Sequence, residues 1–395
     1  MSVRADIDHD PLDLLDVDAG LDDAQRQVRD TVARIVRDRY EPELAGWFES
    51  GELPMREIAR ELGGLGLLGM HLDGYGCAGM DATSYGVACR ELEAGDSGLR
   101  SFVSVQGSLA MFPIHAYGSD EQKEEWLPRL ATGEAVGCFG LTEADSGSDP
   151  AAMRTRARRD GDDWVLDGSK MWITNGSIAD VAVVWARCDD HRVRGFVIPT
   201  DTPGFSAHDV PRKQSLRASV TSELVLEDVR LPAAAALPGV ASMRGPLSCL
   251  SEARYGIVWG VVGAARRCYE SALEHAATRQ QFERPIASFQ LTQQKLVEMA
   301  VRIQHGMLLA LHLGRMKDAG TISAAHISMG KLSNVRDALW VAREARSVLG
   351  ASGITLDYPV MRHMANLESV FTYEGTNEIH TLIVGEALTG IRAFT

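Results

Sequence analysis

From position 296 to 313 the apolar residues Leu296, Met299, Ala300, Ile303, Met307, Ala310 and Leu313 return every third or fourth place. That period lays them along one stripe of a helix, and so long a stripe has to be buried against other helices. An antiparallel four-helix bundle is the arrangement it suits. A Met/Leu stripe of this kind is core packing far more readily than a cofactor box. Upstream, "ARYGIVWGVVGA" at 253 to 264 sets Gly256, Gly260 and Gly263 at helical spacing, so the backbone there can come close to another helix or to a ligand.

The period changes twice along the chain. Up to about Leu130 it is helical, in short pieces punctuated by Gly-rich connectors such as "LGGLGLLGMHLDGYGCAGM". The first helix is expected from near Asp22, with Val28, Val32, Ile35 and Val36 on one face. Between about Val136 and Leu231, "DDWVLDGSKMWITNGS", "VAVVWARC", "RGFVIPT" and "SELVLEDVRL" are β-branched or aromatic runs bounded by Asp, Gly and Asn turns, which reads as a small antiparallel β-domain. Helical texture resumes after "LPAAAALPGV". The expected division is an acidic tail at 1–20, an N-terminal helical domain at 21–135, a middle β-domain at 136–235 and a C-terminal helical bundle at 236–395. The chain has 395 residues, beyond the roughly 250 to 300 at which single cores stop growing.

Composition removes several function classes. A formal net charge of -14 without a long Lys/Arg cluster argues against nucleic-acid binding. With 45% hydrophobic and 24% charged residues, and no apolar run able to span a bilayer, a soluble globular protein is expected. The opening "MSVRADIDHDPLDLLDVDAG" is acidic where a secretory signal has a basic head, so no export is expected. Cys77, Cys89, Cys138, Cys188, Cys249 and Cys268 form no CxxC pair and no metal-ligand spacing. They are read as reduced thiols in a cytoplasmic protein, and no metal site is expected.

Four segments carry chemistry. In "GCFGLTEADSGSDP", at 137 to 150, an apolar strand runs into a polar turn whose backbone N–H groups and hydroxyls suit a phosphate or a polar heteroaromatic ring, although such turns are often purely structural. "MWITNGS", at 171 to 177, can lay the Trp172 indole on a flat ring with Thr174 at its edge, or else pack Trp172 into the β-domain core. In "RQQFERPIASFQ", at 279 to 290, Arg279 ends one helix and Gln290 opens the next; they can clamp a diphosphate and bond an adenine or ribose, or Arg279 can simply answer a helix dipole. In "TYEGTNEIH", Glu374 stands between a bulky Tyr373 and a flexible Gly375. A Glu before Gly at a turn is ordinarily a solvated carboxylate.

Together "GLTEADSGSDP", "KMWITNG", "RQQFERPIASFQ", "LGASGI" and "YEGTNEIH" occur in the order and near the spacing of acyl-CoA dehydrogenases. The resemblance covers about residues 20 to 395, and "ELEAGDSGLRSFVSVQGSLAMFPIHAYGSDEQKEEWLPRLATGEAVGCFGLTE" and "CLSEARYGIVWGVVGAA" are similar to the glutaryl-CoA dehydrogenase branch. It implies a mostly α fold with a central β-domain between two helical bundles, and FAD as cofactor. It implies Glu374 as the base that takes the α-proton of an acyl-CoA thioester, with Gly375 letting the backbone approach the substrate. Arg100 and Ser101 occupy the place where that branch meets the far carboxylate of a dicarboxylic acyl-CoA, and Ser148, Arg254 and Tyr255 would contact the acyl-CoA. Phe139, Thr142, Gly147, Ser148, Trp172, Ile173 and Thr174 would surround the flavin, followed by Arg279, Gln290, Gly350, Thr376 and Glu378. Arg279 and Gln290 would reach a neighbouring subunit's flavin, which implies a homotetramer, a dimer of dimers.

The branch converts glutaryl-CoA to crotonyl-CoA and CO2, passes electrons to electron-transfer flavoprotein, and works in lysine and tryptophan degradation. Another short dicarboxylic or branched acyl-CoA, oxidation without loss of CO2, and a non-catalytic flavin- or CoA-binding scaffold are the alternatives. The chain has Leu99 where the branch often has Tyr, a change beside Arg100 that could reshape the acyl pocket.

Overall fold

The computed structural model describes residues 10–393; positions 1–9 of the expected acidic tail lie outside it. Seven helices come first: α1 (Asp23–Ile35), α2 (Glu41–Ser50), α3 (Met55–Gly64), α4 (Ala82–Gly95), α5 (Ser97–Ser104), α6 (Phe112–Tyr117) and α7 (Asp120–Ala131). α1 begins where the Asp22 carboxylate accepts from the Gln25 N–H at 2.9 Å while the Gln25 side chain accepts from the Asp22 N–H at 3.1 Å. Two otherwise orphaned donors are satisfied in this reciprocal cap. The expected acidic tail is tied down over its described part: the Gln304 side chain accepts from Leu15 N–H and donates to the Leu12 carbonyl, both at 3.0 Å, and Asp18 pairs with the buried Arg90 at 2.7 Å. Its acidic residues answer a cation far along the chain, which composition could not show.

The middle of the chain forms β1 (Gly137–Gly140), β2 (Arg156–Asp160), β3 (Asp163–Thr174), β4 (Val181–Cys188), β5 (Val193–Pro199), β6 (Phe205–Asp209) and β7 (Thr221–Leu231). They join in the order β1-β4-β2-β3-β7-β6, with β5 on the other edge of β4. The sheet is mixed rather than wholly antiparallel, because β1 and β2 both run parallel to β4. Parallel pairing needs a crossover between distant strands. The turn residues that announce hairpins carry no signal for it, which is why the antiparallel expectation is corrected here.

The C-terminal part consists of α8 (Arg244–Thr278), a two-residue hairpin of β8 (Gln280–Gln281) and β9 (Arg284–Pro285), α9 (Gln290–Asp318), α10 (Ala324–Val348), α11 (Val360–Thr372) and α12 (Asn377–Thr389). The apolar stripe of α9 is buried as its period requires, with Ala300 partly covered. The glycines of α8 meet a helix rather than a ligand. A Cβ at Gly263 would stand 1.9 Å from the Arg90 carbonyl oxygen and one at Gly260 2.0 Å from the Glu93 carboxylate, so the α8 backbone touches the α4 backbone at one and an α4 side chain at the other. One apolar core therefore runs through both helical parts, from Val32 and Leu92 to Val262, Met307 and Val341. That common core joins α4, α5, α8, α10 and the α11–α12 turn, the elements that supply the site.

Candidate active site

The site is built outward from the α4–α5 corner. Asp96 caps α5 by accepting from the Gly98 N–H at 2.6 Å, and its other oxygen receives Arg362 and, at 2.9 Å, Asn366 from α11. So fixed, α5 carries Arg100 into the interior, where the residue is 1% exposed. Its Nε donates to Glu93 at 2.6 Å, and the second Glu93 oxygen accepts from Ser97 at 2.8 Å. Another guanidinium nitrogen donates to the Tyr373 hydroxyl, which also lies 3.2 Å from the Ser101 hydroxyl. Burying a guanidinium is costly unless it is paired and hydrogen-bonded, and here it is both. Arg100, Ser101 and Tyr373 thus form a polar cluster inside an apolar bundle, suited to a carboxylate.

Glu374 occupies the short turn between α11 and α12, with φ of 53°, followed by Gly375 at φ 95°. A left-handed conformation costs an L residue roughly 1–2 kcal/mol, so the turn needs outside support. Arg254 of α8 donates from Nε to the Glu374 carbonyl at 2.7 Å. Lys331 of α10 donates from Nζ to the carbonyls on either side, those of Tyr373 and, at 2.7 Å, Gly375. Only glycine fits at 375: a Cβ would lie 2.9 Å from His380 Nε2 and 3.3 Å from an Arg254 nitrogen. Beyond it, the Thr376 hydroxyl caps α12 by accepting from the Ile379 N–H at 3.3 Å.

Glu374 is half-buried as a residue, and its carboxyl sits among charges. Burial raises its pKa above the ordinary carboxylate range, against Arg100, Lys331 and Arg254, which favour the anion, while Glu93 adds to the rise. Lys331 is pulled the other way, burial lowering its ammonium against the attraction of Glu374. One oxygen of the carboxylate, Oε2, is buried with no hydrogen-bond partner. An acceptor oxygen that is buried, raised in basicity and unengaged is what a proton-abstracting base requires.

Other expected residues divide by location. Phe139 and Ile173 are buried in the β-domain and Thr174 pairs across β3–β7 with Thr221. Trp172 does not pack that core: it is 58% exposed, with φ of 65°, at an irregularity in β3. The Thr142 carbonyl accepts from the neighbouring Met171 N–H at 2.8 Å, which sets the Thr142 turn beside the indole. Gly147, Ser148, Gly350 and Glu378 are exposed. Arg279 and Gln290 are exposed at the α8–α9 corner; at about 1.5 Å per residue, Arg279 lies roughly 37 Å along α8 from Arg254. The expected acyl-CoA contact of Tyr255 is corrected: it is wholly buried and its hydroxyl is spent on the Ala82 carbonyl at 2.8 Å, so it is not free for the substrate. Leu99, beside Arg100 in sequence, is buried and meets Val36 and Leu44 around Gly95.

Sequence reasoning missed Glu93, Lys331 and the Tyr373 hydroxyl as parts of the site. Tyr373 stood inside a quoted motif without a role. Glu93 and Lys331 had only the weak signal of a charge inside an otherwise buried helical stretch.

Family models described as acyl-CoA dehydrogenase N-terminal, middle and C-terminal domains match residues 22–134, 138–229 and 243–389. The chain belongs to the acyl-CoA dehydrogenase family. Within it, the chain is similar to a solved glutaryl-CoA dehydrogenase of Mycobacterium smegmatis, with 65% identity over 98% of this chain and 99% of the other and a TM-score of 0.96. A glutaryl-CoA dehydrogenase of that organism solved in complex with FADH2 is 61% identical, over 98% and 99% of the two chains, with a TM-score of 0.96. Human mitochondrial short-chain specific acyl-CoA dehydrogenase is 34% identical over 332 residues, 82% of this chain and 80% of its own.

Proposed function

We propose that this enzyme is an FAD-dependent glutaryl-CoA dehydrogenase that releases CO2 and passes its electrons to electron-transfer flavoprotein. The observation that carries the substrate is Arg100, a buried guanidinium bridged to Ser101 through Tyr373 and set among the charges around Glu374. A pocket for a plain acyl chain has no use for a buried cation, whereas the far carboxylate of a dicarboxylic thioester does. Residues present also suit the cofactor. An exposed indole at Trp172, with the Thr142 and Ser148 turn beside it, offers a flat face next to hydroxyls and backbone donors.

Bound FAD supplies the acceptor for the hydride that leaves the β-carbon of the acyl group. Glu374 takes the α-proton, and burial raises its basicity toward what a weakly acidic thioester α-carbon requires. The Glu374 backbone N–H is the donor this chain offers to the thioester oxygen as negative charge develops there. The oxidised product, glutaconyl-CoA, has its carboxylate vinylogous to the thioester. When the bond to CO2 breaks, its electron pair flows into a dienolate, and protonated Glu374 returns the proton to give crotonyl-CoA. Arg100 holds the carboxylate before that step, and the Glu93 beside it moderates the grip by sharing the guanidinium.

Arg279 and Gln290, at the α8–α9 corner far from Arg254, are assigned to the flavin of a second subunit in a dimer of dimers. The apolar Phe282, 87% exposed, and Leu291, 76% exposed, flank them and give such a partner something to cover. Light scattering on the purified protein tests the assembly. The working assignment is a cytoplasmic enzyme of lysine and tryptophan breakdown. Anaerobic mixing with glutaryl-CoA tests the reaction: bleaching of the oxidised flavin with crotonyl-CoA as product is expected. Bleaching with glutaconyl-CoA as product would remove the CO2 step, and no bleaching with FAD bound would overturn the substrate.

A further inference from the structure

The turn that presents Glu374 leaves three successive carbonyls, those of Tyr373, Glu374 and Gly375, between the end of α11 and the start of α12. Interior carbonyls require donors. Arg254 serves the middle one and Lys331 the two outer ones. Because one ammonium touches the carbonyls on both sides of Glu374, it ties the ends of the left-handed turn together and so sets the direction of the Glu374 side chain. Its own base is rigid. Three residues further along α10, Asn334 donates to the Val258 carbonyl of α8 at 2.8 Å and to the Gly306 carbonyl of α9 at 3.2 Å. One turn before Lys331, the Ser328 hydroxyl lies 3.0 Å from His380 Nδ1 on α12.

We propose that Lys331 is a positioning residue for the base, its ammonium bridging the Tyr373 and Gly375 carbonyls to hold the strained turn that presents the Glu374 carboxylate beside Arg100. This rests on reading Glu374 as the base. A neutral donor would satisfy the same two carbonyls, so the buried charge has a second effect, on the carboxylate itself. The groups facing Glu374 are Glu93 and the buried Cys89 thiol of α4, Arg100 of α5, Arg254 of α8 and Lys331 of α10, with Tyr373 preceding it and His380 of α12 against Gly375. His380 is kept neutral by burial and by Lys331, which leaves Arg100 and Arg254 as permanent cations that favour the anion, joined by Lys331 where its ammonium, lowered by burial to about 7, stays protonated.

The test compares Lys331→Met, which removes donors and charge, with Lys331→Gln, which keeps two N–H donors and removes the charge. Each holoenzyme is measured for FAD content, for glutaryl-CoA affinity by calorimetry, for the rate of anaerobic flavin bleaching across pH, and for the Glu374 φ by crystallography. In Lys331→Met the residue should leave the left-handed region and bleaching should slow by about ten- to a hundredfold, as misplacement of a reacting group does. FAD content and affinity should stay within about twofold, since neither depends on the aim of the base. Lys331→Gln should keep the left-handed φ and recover most of the rate, with its half-maximal pH moved upward because a cation favouring the carboxylate is gone. An unchanged φ and rate in Lys331→Met, a rate loss matched by loss of FAD, or an equal loss in Lys331→Gln would overturn the proposal. Should Lys331→Met fail to fold, Lys331→Gln decides alone: an unmoved pH profile, or a rate as low as that of Glu374→Gln, refutes it. If Glu374→Gln itself still bleaches the flavin, the assignment of the base is what fails, whatever Lys331 does.

Discussion

Removing Arg100 should damage the fold as well as the substrate pocket, and the two effects can be separated. Glu93 is fully buried and has two donors, Arg100 Nε at 2.6 Å and the Ser97 hydroxyl at 2.8 Å. Arg100→Met leaves that carboxylate in the core with a single hydroxyl. Stranding one partner of a buried ion pair costs about 3–5 kcal/mol, against a total stability of about 5–15 kcal/mol for a typical protein. Adding Glu93→Gln removes the stranded charge while keeping an acceptor for Ser97, so the double variant should regain most of the loss. Urea unfolding followed by the helical circular dichroism signal reads both variants. Flavin content and acyl-CoA affinity measured on the stable double variant then isolate recognition. FAD should stay bound, and loss of a charged hydrogen bond worth about 1.5–3 kcal/mol should weaken glutaryl-CoA by roughly ten- to a hundredfold. Arg100→Met as stable as the parent, or a double variant no better than the single one, would refute the reasoning about the pair. Undiminished glutaryl-CoA affinity in the double variant would refute the role of Arg100 in recognition.

Three further outcomes follow from the geometry. Glu374→Gln should slow flavin bleaching by about 10² to 10⁴ with FAD retained, and in the parent the rate should rise with pH through the raised pKa of Glu374, because only its carboxylate accepts a proton; stopped-flow bleaching checks both, and a rate falling as pH rises through that range would contradict the assignment. Burial tends to raise the Glu143 carboxyl, but Lys170, Thr155 and the Arg154 N–H overcome it and hold it near 2. Its folded pKa lies below the unfolded value of 4.5, so its contribution is present above that value and is lost as pH falls toward about 2; acid unfolding of Glu143→Gln should lack that part of the slope. Gly263→Ala would drive a methyl to 1.9 Å from the Arg90 carbonyl and should destabilise the α4–α8 contact by about 1–3 kcal/mol, measured by urea melts.

Helices, the change to strands and the Glu374 turn were legible because each rests on local rules. The stripe of α9 has a period, the Asp22 cap has a partner three residues away, and Glu374 followed by Gly375 stood in a motif whose order matched a family. Parallel pairing of β1 and β2 with β4 escaped because strand order depends on crossovers. Tyr255 was misplaced for a related reason: adjacency in sequence to Arg254 does not put a helical side chain on the same face.

The sequence by itself determined the architecture, the family and the candidate base, since periodicity, turn chemistry and motif order are properties of neighbours along the chain. Only the tertiary structure decided how that base is served. Glu93 faces Arg100 across a helix break, and Lys331, more than forty residues before Glu374, meets it only when α10 packs beneath the α11–α12 turn. Charges and donors act through space, and a folded core sets those distances without leaving a spacing rule in the sequence.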